Sequence, residues 1–224
     1  MCIFAAKIMA GKKAIIAGAS GLIGSNLLQI LLDEPFYDEV LIIVRKHLNV
    51  DHPKLRQLIV NFDELYKHAA EFTGHAIFLC LGTTAAQTPD KALYRKIDHD
   101  YTIQLAQLAH QNNVKQCHLI SAVGADATSS NFYLKLKGDT EEDIKKVGIS
   151  SLHIYRPSML RGRKENQRFG EGVINGIMTV ADHLLIGSFS KYRSISAAQV
   201  ARRMFIQSTD NQLGTFLYHY KELI

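Results

Sequence analysis

The sequence predicts an α/β protein built on a doubly wound parallel sheet, and three observations carry that prediction. Short aliphatic runs recur along the chain without the alternation that marks a half-solvated strand. Windows of helical periodicity separate them. A glycine-rich turn, Gly18-Ala-Ser-Gly-Leu-Ile-Gly24, joins the first run to the first helical window. Strands and helices in alternation cover both faces of one sheet through right-handed crossovers.

Residues 13–17 form a short apolar run ending at glycine, and residues 22–32 repeat apolar side chains on a helical period. Residues 40–44, 57–60 and 76–81 read as three further buried strands. Helical windows follow over 64–72 and from about 91 to 111, the second with charged residues opposite its apolar stripe. Residues 118–121 end a fifth strand, 131–146 form a helix, and 151–155 form a strand stopped by Pro157. Beyond it, 170–185 and 197–208 read as helices and 214–220 as a last strand. No proline- or glycine-rich linker divides the chain, so residues 1–224 are taken as one domain, with about 158–212 as a small cap over the carboxyl edge of the sheet.

At 224 residues, 47% hydrophobic and 21% charged, the chain is large enough for a single sizeable core and shows no mark of disorder. Its formal charge of +5 suits an anionic ligand, but the basic residues are dispersed and make no continuous face, which argues against nucleic acid as partner. Arg45-Lys46-His47 and the group Arg161, Arg163, Lys164 and Arg168 are the exceptions; the second group reads as solvated loop charge, with an anionic substrate as the alternative. Cys2, Cys80 and Cys117 form no C-x-x-C and read as small residues in a reducing compartment, and the ten histidines show no ligand spacing, so no metal is expected. The N-terminus lacks the pattern of a secretion signal. The uncharged run from Ala14 to Leu32 has the length of a membrane span, but its three glycines, two serines, Asn26 and Gln29 fit strand, turn and helix in series better. A cytoplasmic location with no membrane partner is the resulting expectation.

Gly18, Gly21 and Gly24 lie between a strand and a helix, the context in which glycines admit the pyrophosphate of a dinucleotide to the positive end of the helix. The turn residues Gly18, Ser20, Gly21, Leu22, Ile23 and Gly24 are therefore candidate cofactor contacts. No Gly-Lys-Ser/Thr follows, which excludes a P-loop. At the end of the second strand, where an acidic residue would bind the ribose hydroxyls of NAD, stand Arg45 and Lys46. A cation there favours the extra phosphate of NADP(H) over NAD(H).

Tyr133 and Lys137 are four residues apart, on one face of the helix predicted over 131–146. A free phenol ionises near ~10, and an adjacent ammonium favours its charged form. Ser121, at the end of a strand, could hold a substrate carbonyl against that phenol. Ser121, Tyr133 and Lys137 are the candidate catalytic residues, and Lys137 is also a candidate cofactor contact, gripping the nicotinamide ribose.

These residues resemble the short-chain dehydrogenase/reductase superfamily, and more closely its Tat-interacting-protein oxidoreductase-like group. The likeness is carried by Gly-Ala-Ser-Gly, Cys-Leu-Gly-Thr-Thr at 80–84, Ile-Asp-His-Asp-Tyr at 97–101, Gly-Ala-Asp at 124–126, Ser-Ser-Asn-Phe at 129–132 and Tyr-Arg-Pro-Ser at 155–158, over about residues 12–171. The resemblance implies an NADP-binding Rossmann domain in which Leu81, Gly82 and Thr83 line the ribose and pyrophosphate path and Pro157 and Ser158 approach the nicotinamide. It also shows two departures. Asn61 stands where many relatives meet the adenine amine with an aspartate, and its carbonyl could accept the same hydrogen bond. The asparagine of the usual catalytic tetrad has no clear counterpart, Asp98 being in roughly that region.

The expectation is an NADP(H)-dependent oxidoreductase that passes hydride to or from a small carbonyl or alcohol. A cofactor-binding sensor acting through a protein partner, with little turnover, is the alternative, since the group contains members thought to act that way. Epimerase-like chemistry on a nucleotide sugar is disfavoured by the little chain left to enclose a second nucleotide. Monomer and homodimer both stay open.

Overall fold

The computed structural model describes residues 11–161 and 193–224. Seven parallel strands form one sheet: β1 (Lys13–Ala17), β2 (Glu39–Val44), β3 (Leu55–Ile59), β4 (Ala76–Leu79), β5 (Gln116–Ile120), β6 (Ser151–Tyr155) and β9 (Gly214–Tyr218), in the order β3-β2-β1-β4-β5-β6-β9. The order reverses between β1 and β4, and at such a point the loops on either side part and leave a crevice at the carboxyl ends of the strands. All seven strands expected from the sequence are present, β1 and β6 at the expected residues and the others with ends shifted by at most two residues.

Helix α1 (Leu22–Asp33) follows β1 and buries Ile23, Leu27, Leu28, Leu31 and Leu32, the stripe its sequence period predicts. The uncharged run thus divides into strand, turn and helix, and among the described residues no helix is long and apolar enough to cross a membrane. Helix α5 (Ala197–Ser208) packs beside α1 on the same face, burying Val200, Ala201 and Met204. Ser196 caps it through a reciprocal pair with Gln199, which satisfies two orphan amides at its start. The short helix α6 (Tyr220–Leu223) completes this layer.

The opposite face is covered by a 3₁₀ segment (Phe62–Glu71) and by three helices, α2 (Lys91–Arg95), α3 (Tyr101–Gln111) and α4 (Phe132–Val147). The predicted single helix over 91–111 is continuous but contains a π-helical turn at Lys96–Asp100, between α2 and α3. One extra residue per turn rotates the following side chains, and here Asp98 and His99 are turned inward and buried. The predicted helix at 64–72 is wound more tightly than expected because Glu64 and His68 leave the helical backbone region and kink it.

Of the segment at about 158–212 expected as a small cap, the described residues include a parallel pair of two-residue strands, β7 (Leu160–Arg161) and β8 (Ile195–Ser196), followed by α5. The predicted helix over 170–185, the basic residues Arg163, Lys164 and Arg168, and Cys2 lie outside the described residues.

Candidate active site

The glycine turn forms because β1 ends at a residue that only glycine tolerates. Gly18 has φ +88°, and a Cβ there would sit 2.4 Å from the carbonyl oxygen of Cys80 on the neighbouring strand end. Gly24 is pressed against the same turn, where a Cβ would come 2.1 Å from the Gly18 oxygen. The Gly21 amide donates to that oxygen at 3.0 Å, which closes the turn. Gly21 is also the N-cap of α1 and no side chain caps the helix, so the first-turn amides of Leu22, Ile23 and Gly24 lack intrahelical acceptors. With no acidic residue in that turn, the helix start fits a pyrophosphate.

Gly18, Ser20 and Gly21 border a cavity of about 530 Å³ together with Arg45, Lys46, Leu81, Gly82, Phe62 and Tyr101. Arg45 and Lys46 are solvent-exposed just past β2. Asn61 borders the adjoining space with Arg45, Phe62 and Tyr101. Its carbonyl oxygen accepts the Asp63 amide at 3.1 Å and caps the 3₁₀ segment. The oxygen expected to meet the adenine amine thus has one of its two lone pairs engaged.

From the glycine turn the crevice continues past Leu81, Gly82 and Thr83 to Ser121, Tyr133, Lys137, Pro157 and Ser158. Tyr133 lies in the first turn of α4, which Asn131 caps by accepting the Leu134 amide at 3.1 Å. The residue is 39% exposed. Lys137, one turn further on, is buried, with Nζ 6.0 Å from the centre of the Tyr133 ring. The expected pair therefore faces the crevice, but the ammonium has another partner: Nζ is 2.9 Å from Oδ1 of the buried Asp98. The second carboxylate oxygen of Asp98 accepts the Thr83 amide at 2.8 Å. Thr83 is held in turn by Tyr94, whose hydroxyl donates to its carbonyl at 2.9 Å.

Ser121 differs from the role expected of it. Leu119 and Cys117 of β5 face the α3/α4 layer, so Ser121, two residues past Leu119, points the same way. Its hydroxyl donates to Oε1 of the buried Glu141 at 2.5 Å. Arg156 grips Glu141 with both forks, Nε to Oε1 at 2.8 Å and a terminal nitrogen to Oε2 at 2.5 Å. Its hydrogen bonds to the Glu141 carboxylate raise the Arg156 guanidinium above its ordinary range. The proton that was to meet a substrate carbonyl is committed to this pair. Glu141 escaped the sequence reading although it lies four residues after Lys137, on the face that already carries Tyr133.

Pro157 and Ser158 leave β6 at the far lip: the Pro157 carbonyl accepts the Val123 amide at 2.9 Å, and the Ser158 hydroxyl donates to the Arg193 carbonyl. Burial pushes the Cys80 thiol up to about 12, so it is a poor nucleophile beside the crevice. Among the described residues no cluster of side chains could hold a metal ion.

Comparison with known proteins agrees with this geometry. Residues 14–146 match the model of the NAD dependent epimerase/dehydratase family. The chain is 34% identical to Protein HTATIP2 of Rattus norvegicus over 167 residues, 73% of this chain and 69% of that protein. It is 31% identical to Protein FMP52, mitochondrial, of Coccidioides immitis over 200 residues, 84% of this chain and 81% of that one. Among solved structures, a UDP-N-acetylglucosamine 4-epimerase from Methanobrevibacter ruminantium M1 superposes with a TM-score of 0.70 at 16% identity, over 94% of this chain and 77% of that chain. The likeness to that enzyme is one of fold. The expected cytoplasmic location is corrected by these findings, since the FMP52 relatives are named as mitochondrial proteins. A glycine turn built for a dinucleotide, a tyrosine and lysine opening on the same crevice, and a family match over most of the sheet agree: the chain belongs to the NAD dependent epimerase/dehydratase family and is an NAD(P)-binding enzyme of its hydride-transferring kind.

Proposed function

We propose that the protein is an NADP(H)-dependent oxidoreductase acting on a small carbonyl or alcohol, with Tyr133 as its proton-transfer group. The observation that carries this reading is the half-exposed phenol of Tyr133 with Lys137 one turn behind it, both opening on the crevice that begins at the glycine turn. Gly18, Ser20, Gly21, Leu22 and Ile23 would hold the pyrophosphate, with Gly24 packed against the Gly18 oxygen to support the turn, Leu81, Gly82 and Thr83 would line the ribose path, and Pro157 and Ser158 the far end. A dinucleotide held there would supply or take up the hydride. Tyr133 gives a proton to the substrate oxygen, or removes one in the reverse direction. Lys137 keeps positive charge beside the phenol. Ser121 flanks the reacting end of the crevice with its proton turned inward, so it offers lone pairs to the substrate side.

The preference for NADP(H) over NAD(H) is supported by Arg45 and Lys46, exposed at the cavity that the glycine turn borders. Neither makes an ion pair among the described residues, so both are available to the additional phosphate. The same two features serve the alternative, a sensor that binds NADPH and acts through a protein partner. It would not need a tyrosine and lysine lining the crevice, and their presence favours turnover.

A panel of small aldehydes, ketones and alcohols followed by NADPH absorbance tests the reading, with NADPH and NADH affinities measured in parallel. Turnover with tighter binding of NADPH supports it. Tight NADPH binding without turnover on any member would move the assignment to the sensor, and equal affinity for the two nucleotides would remove the role of Arg45 and Lys46.

A further inference from the structure

Asp98 is a buried carboxylate that the proposed chemistry does not use. It is 1% exposed and lies in the π-helical turn at Lys96–Asp100, whose extra residue brings it inward. Its two oxygens meet two parts of the site: Oδ1 the ammonium of Lys137 at 2.9 Å, Oδ2 the amide of Thr83 in the loop that borders the crevice at 2.8 Å. His99, the next residue, ties the same turn to α4 through Asp143 at 2.9 Å. The turn is therefore anchored on the helix that carries Tyr133 and Lys137. A carboxylate so placed is more than a helix residue that happens to be inside.

We propose that Asp98 is a positioning residue: it clamps Lys137 to the loop at Thr83 and offsets the positive charge that Lys137 presents to Tyr133. The proposal rests on the reading of Tyr133 as the proton-transfer group. Among the described residues, Lys137 on its own helix and Tyr94 on α2 face that phenol, and Asp98 in the π-helical turn faces Lys137 and Tyr94. Burial, then Asp98, then Tyr133 hold the Tyr94 phenol well above its ordinary range, so Tyr94 stays neutral and adds no charge. Lys137, 6.0 Å from the Tyr133 ring, thus has an opposite charge 2.9 Å from its Nζ, and a carboxylate so close offsets the cation's attraction for a phenolate. An asparagine at this position would keep an acceptor for the Thr83 amide while releasing the cation.

The test uses full-length protein labelled with [¹³Cζ]tyrosine, the Tyr133 resonance being assigned by its loss in Tyr133→Phe. In Asp98→Asn the pH at which that resonance titrates should move down by about one unit, as for an uncompensated cation beside a phenol. In Lys137→Met it should move up, and in Asp98→Asn/Lys137→Met it should return to near the wild-type value. The double variant removes both buried charges, so the comparison with Lys137→Met stands even where the single Asp98 variant fails to fold. An unmoved titration in folded Asp98→Asn, or a double variant as far displaced as Lys137→Met alone, would overturn the proposal. The readout needs no turnover, so its failure is separable from a failure of the oxidoreductase reading, which the substrate panel reports.

Discussion

The hydroxyl of Ser121 has one proton and donates it to Glu141, oxygen to oxygen 2.5 Å, inside the α3/α4 layer. A hydrogen bond to a buried carboxylate contributes roughly 1.5–3 kcal/mol, so turning that proton toward a substrate would cost about as much as it gained. Ser121→Ala should therefore lower the unfolding free energy by roughly 1.5–3 kcal/mol in urea titration. It should reduce kcat less than about tenfold, whereas a serine that donates to the developing charge would lose ~10²–10³ on removal. A loss in that larger range with unchanged stability would restore the role the sequence suggests. The difference was not legible at residue 121 because a serine at a strand end looks the same whichever way it points. It becomes legible only with Glu141 and Arg156, residues from another helix and another strand.

At the scale of the element, α4 decides where the tyrosine and lysine stand, and Gly138 decides where α4 stands. A Cβ at Gly138 would lie 2.1 Å from the Ala127 nitrogen and 2.3 Å from the Asp126 carbonyl carbon, both backbone atoms that cannot swing aside. The helix thus rests directly on the loop after β5. Gly138→Ala should push it outward, destabilising the fold by about 1–3 kcal/mol despite alanine's better helix propensity. NADPH affinity should weaken less than turnover, because the glycine turn lies on another element. A stabilised variant, as propensity alone would give, would contradict this packing.

The elements themselves were largely readable. Strands β1 and β6 and helix α5 occupy the predicted residues because apolar runs and periodic stripes report burial directly. The π-helical turn was hidden, since its extra residue leaves no trace in a sequence period averaged over 91–111. The glycine turn was readable because its steric demand admits one residue type, while the inward commitments of Lys137 and Ser121 depend on partners 39 and 20 residues away.

Across the whole molecule, the α1/α5 side of the sheet carries a ladder of rings: Phe78, His118, His153 and Phe216 stack from β4 to β9 at centroid spacings of 4.7, 4.6 and 5.0 Å. Both histidines are fully buried and bonded to tyrosine hydroxyls, His118 to Tyr155 and His153 to Tyr218, each at 2.9 Å. Burial pushes His153 down to about 4, and burial with the neighbouring His153 holds His118 well below its ordinary range. The unfolded chain takes up these protons near ~6.5, so between the two values it binds more protons than the fold. Their contribution is fully present above about pH 6.5 and is lost as pH falls toward 4, by ~3 kcal/mol for His153 alone. Urea midpoints should decline steadily from pH 7 to 4.5, and a flat profile would mean that the ladder accepts protons in place.

The account depends most on the phenol at the head of α4. Its most direct test is kcat and NADPH affinity measured together for Tyr133→Phe, with the substrate turned over best by the wild type. Turnover should fall to background while the dissociation constant for NADPH stays within about twofold, because the turn that would hold the cofactor is untouched. Undiminished turnover in that variant would contradict the assignment of proton transfer to Tyr133.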